Sequence, residues 1–137
     1  MGKYQIDMEV RDYECDMADG VNNSVYMSYL EHARHKYLAS IGINFAEFAR
    51  KKIGLIVIRA ELDFKLSLMS GDEFTVSVEM ERVSKLRFAF NQEIHRKKDG
   101  KLVLAGKIFG TAVGENGRPT MPEEIERIVG EVAATAA

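Results

Sequence analysis

Two changes of hydrophobic period constrain this chain more than any other feature of its sequence. Tyr4, Ile6, Met8 and Val10 alternate with Gln5, Asp7, Glu9 and Arg11, the period of two that marks a strand with one buried face. From Ser24 the apolar residues recur instead at three and four, through Tyr26, Leu30, Ala33, Tyr37 and Ile41, which is the stripe of an amphipathic helix. Alternation then returns at Leu62, Phe64, Leu66 and Leu68, at Phe74, Val76, Val78 and Met80, and at Leu86, Phe88 and Phe90. One strand, one long helix and a run of strands predict an α+β domain in which an antiparallel sheet wraps a single central helix.

Local signals set the ends of these elements. Asn22, Asn23 and Ser24 are candidate N-caps and Gly42 a C-terminal stop. A shorter helical segment is predicted around Phe45-Ala46-Glu47-Phe48, and Asp99-Gly100, between His95-Arg96 and Leu102-Val103-Leu104, reads as a hairpin turn. A helix from Ser24 to Ser40 would be about 25 Å long, and strands of about ten residues would reach roughly 33 Å, so one helix can fill one face of the sheet. Pro122 to Ala137 is helix-permissive and ends in an alanine-rich tail; no linker or repeat precedes it. With 137 residues, the span 1–137 is expected to form a single domain with its own core.

Charge and cysteine content narrow the function classes. A net charge of -2 and a pI near 5.9 give no general pull toward nucleic acid or anionic membrane. The single Cys15 cannot form an intramolecular disulfide, which suits a reducing compartment. Met1-Gly2-Lys3-Tyr4-Gln5-Ile6 has no signal-peptide run, and no stretch is apolar and long enough to span a bilayer. Gly2 invites a myristoylation reading, but Ile6 stands where that motif wants Ser or Thr. The expectation is a cytoplasmic protein with neither nucleic acid nor membrane as partner.

The stretch that carries chemistry is Asp16-Met17-Ala18-Asp19-Gly20-Val21-Asn22-Asn23-Ser24-Val25-Tyr26, opening into Tyr29-Leu30-Glu31-His32-Ala33-Arg34. It joins a loop carboxylate to a helix start. By itself Asp16 could be a turn aspartate. The first N–H groups of a helix, however, are unpaired and sit at the positive end of its dipole, so they suit an oxygen that becomes negative during reaction. The stretch resembles the signature of the hotdog-fold thioesterases, especially their 4-hydroxybenzoyl-CoA thioesterase-like branch. Leu62-Asp63-Phe64 ahead of Ser70-Gly71-Asp72, Ser84-Lys85-Leu86-Arg87-Phe88, and Gly117-Arg118-Pro119 before Met121-Pro122 extend the resemblance over nearly the whole chain.

What the resemblance implies is specific. The fold would be a hotdog, and the reaction hydrolysis of an acyl-CoA or acyl-ACP thioester. Asp16 would serve as nucleophile or general base, and the backbone amide of Asn23, seven residues on, would be an oxyanion donor; the side chains of Asn22 and Asn23 read as caps. No cofactor and no metal are implied. Since the family builds its site between two subunits, a homodimer is expected, with pairing into a tetramer left open. The stretch also resembles the plant fatty acyl-ACP thioesterases, which carry Asn and His two and four residues after the aspartate; here Ala18 and Gly20 stand there, so a mechanism needing that imidazole is not supported.

Further candidates are weighed against plainer roles. Asp19 could raise the pKa of Asp16 through like charge, or be a solvated loop acid. Glu31 could be the helix carboxylate some hotdog enzymes use, but helical projection puts it on a polar face or subunit contact. His32 and His35 share a face without the further ligands a zinc site needs. Cys15 reads as a small packed residue. Tyr13 either lines an acyl pocket or ends the first strand; Tyr26 is a second substrate-binding candidate. Lys85 and Arg87, placed by alternation on one sheet face, are cations that could meet CoA phosphates, with Arg59 and Arg34. Two other functions stay open: a hotdog hydratase or dehydratase, against which none of His32, His35 and His95 lies in the loop before the helix, and a non-catalytic acyl-CoA-binding protein, against which stands Asp16.

Overall fold

The computed structural model describes residues 4–17 and 20–136, with side chains as far as residue 130. Strand β1 (Tyr4–Glu9) and a short 3-10 turn (Asp12–Glu14) lead into helix α1 (Asn23–Ser40) and helix α2 (Phe45–Arg50). Strands β2 (Gly54–Phe64), β3 (Glu73–Arg82), β4 (Phe88–Arg96), β5 (Leu102–Val113) and the two-residue β6 (Pro119–Thr120) follow, and helix α3 (Glu123–Ala136) ends the order. All pairings are antiparallel, in the order β1-β3-β4-β5-β2 with β6 on the end of β5. The predicted α+β arrangement, one sheet over one long helix, is the one observed.

Helix α1 starts and stops where local chemistry dictates. Asn22 is the N-cap, its side-chain oxygen accepting from Ser24 N–H at 3.0 Å. At the other end Gly42 takes a left-handed φ of 96°. Its N–H reaches Ala39 O while Ile43 N–H reaches Leu38 O, the pair of bonds of a Schellman motif. Between these caps α1 buries Tyr26, Tyr29, Leu30, Ala33, Arg34 and Leu38. The predicted stripe holds as far as Ala33 and then runs through Arg34 and Leu38; Tyr37 is half-buried and Ile41 exposed. Ile41 is the C-cap, past the last helical residue.

Helix α1 lies close to the sheet at Gly106. A Cβ there would come within 2.9 Å of the end of the Leu62 side chain and stand at ordinary contact distance, 3.5 Å, from Leu30, so the fully buried Leu30 seats closely on β5. Truncating such a leucine costs about 2–5 kcal/mol. Phe74, Val76, Val78 and Met80 on β3 and Ile94, Leu104 and Ile108 on β4 and β5 complete this core. Helix α3 packs against β3 through Ile125 and Val129, both fully buried.

Three strand limits differ from the sequence expectation. Strand β2 begins at Gly54 and ends at Phe64, so Leu66 and Leu68 lie past it, and Leu55, Ile56, Val57 and Ile58 lie inside it. That run has no period of two, because β2 is an edge strand; Ile56, Val57 and Ile58 are all exposed. A register shift between Val57 and Arg59 marks a bulge on the same strand. Lys85, Leu86 and Arg87 form the β3–β4 turn instead of a strand. Pairing of β4 with β5 starts only at Phe88 opposite Gly110. The hairpin at Asp99-Gly100 is present, with Gly100 at φ 68°.

Candidate active site

The loop that carries Asp16 is tied down at both of its ends. Cys15 bridges Val21 and Gly20 bridges Met69. Asp16 N–H donates to Gly20 O at 3.0 Å, Asn22 N–H to Glu14 O at 3.0 Å and Val21 N–H to Leu68 O at 2.9 Å. Asp16 itself is exposed. Ala18 and Asp19, and with them the expected effect of Asp19 on Asp16, lie outside the described residues, as does Gly2.

A buried strut braces this loop from below. Tyr29, 1% exposed, donates its hydroxyl to Glu14 Oε1 at 2.8 Å. Arg11 N–H donates to the same oxygen at 2.8 Å. Burial first, and then the Glu14 carboxylate, pushes the Tyr29 hydroxyl well above its ordinary pKa, so it stays a donor. One helical turn earlier, buried Tyr26 accepts from Leu68 N–H at 3.0 Å. Its ring meets Phe64 edge-on at 5.6 Å. Burial raises its pKa as well. The two tyrosines therefore lock the start of α1 to the loop before it and to the β2–β3 connection.

At the start of α1 a pocket of about 260 Å³ opens between Asn23 and Tyr26 on one side and Phe64, Lys65, Leu66 and Ser67 on the other. Asn23 is the first residue of α1. Its amide finds no backbone acceptor among the described residues, as expected for a first-turn donor. Asn22, not Asn23, caps the helix with its side chain. This pocket gathers Asn23 and Tyr26. Tyr13 is 80% exposed in the turn Asp12–Glu14. Arg59, on edge strand β2, is paired with Glu61 at 2.7 Å. Lys85 and Arg87 project from the β3–β4 turn, whose backbone is held by Arg82 through Lys85 O at 2.9 Å. Lys65, at the pocket wall, was not singled out in the sequence; its only signal is its place just after Phe64.

A second cavity, about 280 Å³, lies farther along α1. Leu38, Phe45, Phe48, Ile56, Phe88 and Phe90 supply most of its apolar wall, and Glu31, Arg34 and His35 add polar groups. Arg34 is one of the cations that the sequence offers to CoA phosphates at a pocket mouth. It is 5% exposed instead, because it sits on the buried stripe four residues from both Leu30 and Leu38. Its Nη1 donates to Gln92 Oε1 at 3.1 Å, and Gln92 Nε2 donates to Leu30 O at 3.1 Å. The guanidinium lies 5.9 Å from the centre of the Phe90 ring. Burial lowers its pKa, and Glu31 partly offsets that. A charged residue on an apolar stripe is the signal that could have marked it. Glu31 itself is exposed, and His35 rests against Phe45 at 5.4 Å between ring centres. Among the described residues no group of three or more His, Cys, Asp or Glu could hold a metal, and no helix is long and apolar enough to cross a membrane.

The chain, with its loop carboxylate leading into a helix start beside an open pocket, is similar to known proteins in both sequence and shape. A profile of the Thioesterase-like superfamily matches residues 10–129. The chain is 34% identical over 116 residues to the chloroplastic acyl-acyl carrier protein thioesterase ATL3 of Arabidopsis thaliana, covering 85% of this chain and 61% of that one. It is 38% identical over 112 residues to ATL2 of the same plant, covering 82% and 58%. The chain thus spans about three fifths of the length of these curated relatives. In structure it is similar to Slr0204, a 1,4-dihydroxy-2-naphthoyl-CoA thioesterase from Synechocystis, with a TM-score of 0.87 at 16% identity over 96% of this chain and 98% of that one. On the hotdog fold that this likeness shows, and with a profile match over most of its length, the chain belongs to the thioesterase-like superfamily.

Proposed function

We propose that this protein, acting as one domain, is a thioesterase that hydrolyses an acyl-CoA or acyl-ACP to the free acid and thiol. The observation that carries the reading is the junction of the braced Asp16 loop with the start of α1, where Asn23, the first residue of the helix, lines a pocket. In the general-base form Asp16 takes a proton from water as the water oxygen adds to the thioester carbonyl. The oxyanion is met by the Asn23 N–H at the positive end of the helix. Collapse of the intermediate expels the thiolate, which takes a proton to leave as thiol. In the nucleophilic form the Asp16 carboxylate adds first, the thiolate leaves, and water hydrolyses the resulting anhydride. Membership in the superfamily and relatives named for acyl-ACP and acyl-CoA hydrolysis support the reaction class.

The assembly proposed is a homodimer through edge strand β2, with a tetramer as a further step. An exposed edge with Ile56, Val57 and Ile58 uncovered is a template for pairing with a second copy. Antiparallel pairing about the middle of β2 would bring the Gly54 end of one chain beside the Phe64 end of the other. The apolar cavity of one copy would then adjoin the helix start of the second. Tyr26 would shape the pocket, while Tyr13, Arg59, Lys85 and Arg87 would meet the carrier of the acyl group at its rim. A single cysteine suits a cytoplasmic setting, although the Arabidopsis relatives are named as chloroplastic.

A thiol-release screen of the purified protein against aromatic, short-chain and long-chain acyl-CoAs and acyl-ACPs tests the reading, with Asp16→Asn as the control. Release that depends on Asp16 is expected. No release from any thioester by a folded dimer would overturn it.

A further inference from the structure

We propose that Arg34 reads a carboxylate at the far end of the acyl group, so that the preferred substrate is the thioester of a dicarboxylic acid. This inference rests on the thioesterase reading. Its physical basis is a charge placed where no charge should be comfortable. Arg34 is 95% removed from solvent in a wall that is mostly apolar, with Leu38, Phe45, Phe48, Phe88 and Phe90 in it and Glu31 and His35 as its other charged or titratable members. A buried guanidinium is ordinarily matched by a carboxylate. Among the described residues none lies within ion-pair distance; Glu31 acts on it only through space, from an exposed position at the rim.

The hydrogen-bond inventory says which way the group is aimed. Nη1 is occupied by Gln92 Oε1. No buried side-chain nitrogen or oxygen among the described residues lacks a partner, and no protein partner for Nε or Nη2 of Arg34 is present there. Those two donors are therefore accessible, and Arg34 is one of the residues that line the 280 Å³ cavity. Nε–H and Nη2–H form the fork that accepts a carboxylate with two parallel hydrogen bonds. Gln92 fixes the fork's orientation, being itself anchored to Leu30 O at 3.1 Å. Phe90 supports its face from 5.9 Å.

The rest of the cavity fits an alkyl stem. Its walls are aromatic and aliphatic, and at about 30 Å³ per water-sized group it holds roughly nine such groups. A plain alkyl chain would fill the same space but would strip water from Arg34 without replacing the lost hydrogen bonds, which costs affinity. A carboxylate replaces them with charge-assisted ones. The charge on Glu31, being exposed, is screened by solvent and weakens the preference without reversing it.

The test compares matched pairs of acyl-CoAs of increasing length: hexanoyl against adipoyl, and decanoyl against sebacoyl, with ω-hydroxyhexanoyl as the neutral oxygen. In the parent, kcat/KM for the better-fitting dicarboxylic member should exceed its plain partner by about tenfold or more. Arg34→Met should bring that ratio near one, and Arg34→Lys should retain part of it. Calorimetry with free adipate, sebacate, hexanoate and decanoate reads the same preference without turnover. A parent that hydrolyses both members of each pair equally, or prefers the plain or hydroxylated chain, overturns the Arg34 inference while leaving the thioesterase reading intact. A parent that releases no thiol but binds a dicarboxylate at least tenfold more tightly than its partner, in an Arg34-dependent way, does the reverse. Should Arg34→Met fail to fold, the parent's own ratios decide.

Discussion

The start and the middle of α1 are built on opposite principles. At its start the helix offers backbone donors beside an exposed loop carboxylate, and the side chains there serve mainly to hold geometry: Asn22 caps, Tyr29 braces Glu14, and Tyr26 holds Leu68. Half a helix later the side chains take over: Arg34 and Phe90 line a largely apolar cavity, and Gln92 holds the Arg34 guanidinium. About 16 Å of helix separates Asn23 from Arg34 at 1.5 Å per residue. In the proposed site a single helix thus holds a reactive start and a selective middle in a fixed relation, and variants of each half should fail in different ways.

The largest effect is expected at the start of the helix. Asp16→Asn should lower kcat by about 10²-fold or more, since an amide is a poor base and nucleophile, with the melting temperature almost unchanged because the side chain is exposed. Near-parental turnover in a folded Asp16→Asn protein would remove Asp16 from the mechanism. Next is the proposed joining of start and middle across a dimer. Val57→Lys on the open edge of β2 should convert a micromolar dimer to monomer by light scattering and reduce turnover by about tenfold. A variant that stays dimeric, or a fully active monomer, breaks that part of the comparison.

Tyr29→Phe probes the brace rather than the chemistry. It should cost about 1 kcal/mol of stability and lower kcat a few-fold by loosening the Asp16 loop. The folded-state pKa of Tyr29 is raised above its ordinary 10.0, so its contribution is fully present below pH 10 and fades as pH rises further. The stability gap between parent and Tyr29→Phe should therefore narrow above pH 10, which urea titrations across that range would read. The smallest effect belongs to the β3–β4 turn. Replacing Lys85 and Arg87 together by Gln should raise KM for acyl-CoA about two- to threefold, more than it changes kcat, and the difference should shrink with added salt. Equal KM values at low salt would make these residues a solvated turn and nothing more.

Much of the fold was legible because its signals are local. Asn22 and Gly42 mark the limits of α1 within a residue, since caps depend on neighbours in sequence. The start of β2 was not legible. Leu55 to Ile58 form an unbroken apolar run, and only the open edge of the sheet explains why such residues stand exposed. Alternation placed Lys85 and Arg87 on a strand, but the ring of Phe88 needs the bare backbone of Gly110, where a Cβ would come within 2.7 Å, and pairing begins only there. Of the proposed site, the Asp16 loop and the helix start could be read from one contiguous segment. The surroundings of Arg34 could not, since Gln92 and Phe90 come from a strand more than fifty residues away.

The sequence by itself determined the order of periods, the caps, and the adjacency of Asp16 to the start of α1, because hydrophobic periodicity and capping act over a few residues. Tertiary structure alone decided that Tyr29 supports Glu14, that Lys65 faces the first pocket, and that Arg34 lines a largely apolar cavity. These depend on which face of α1 the sheet covers. That is fixed by packing, with Leu30 seated over Gly106 as one contact, between residues far apart in the chain.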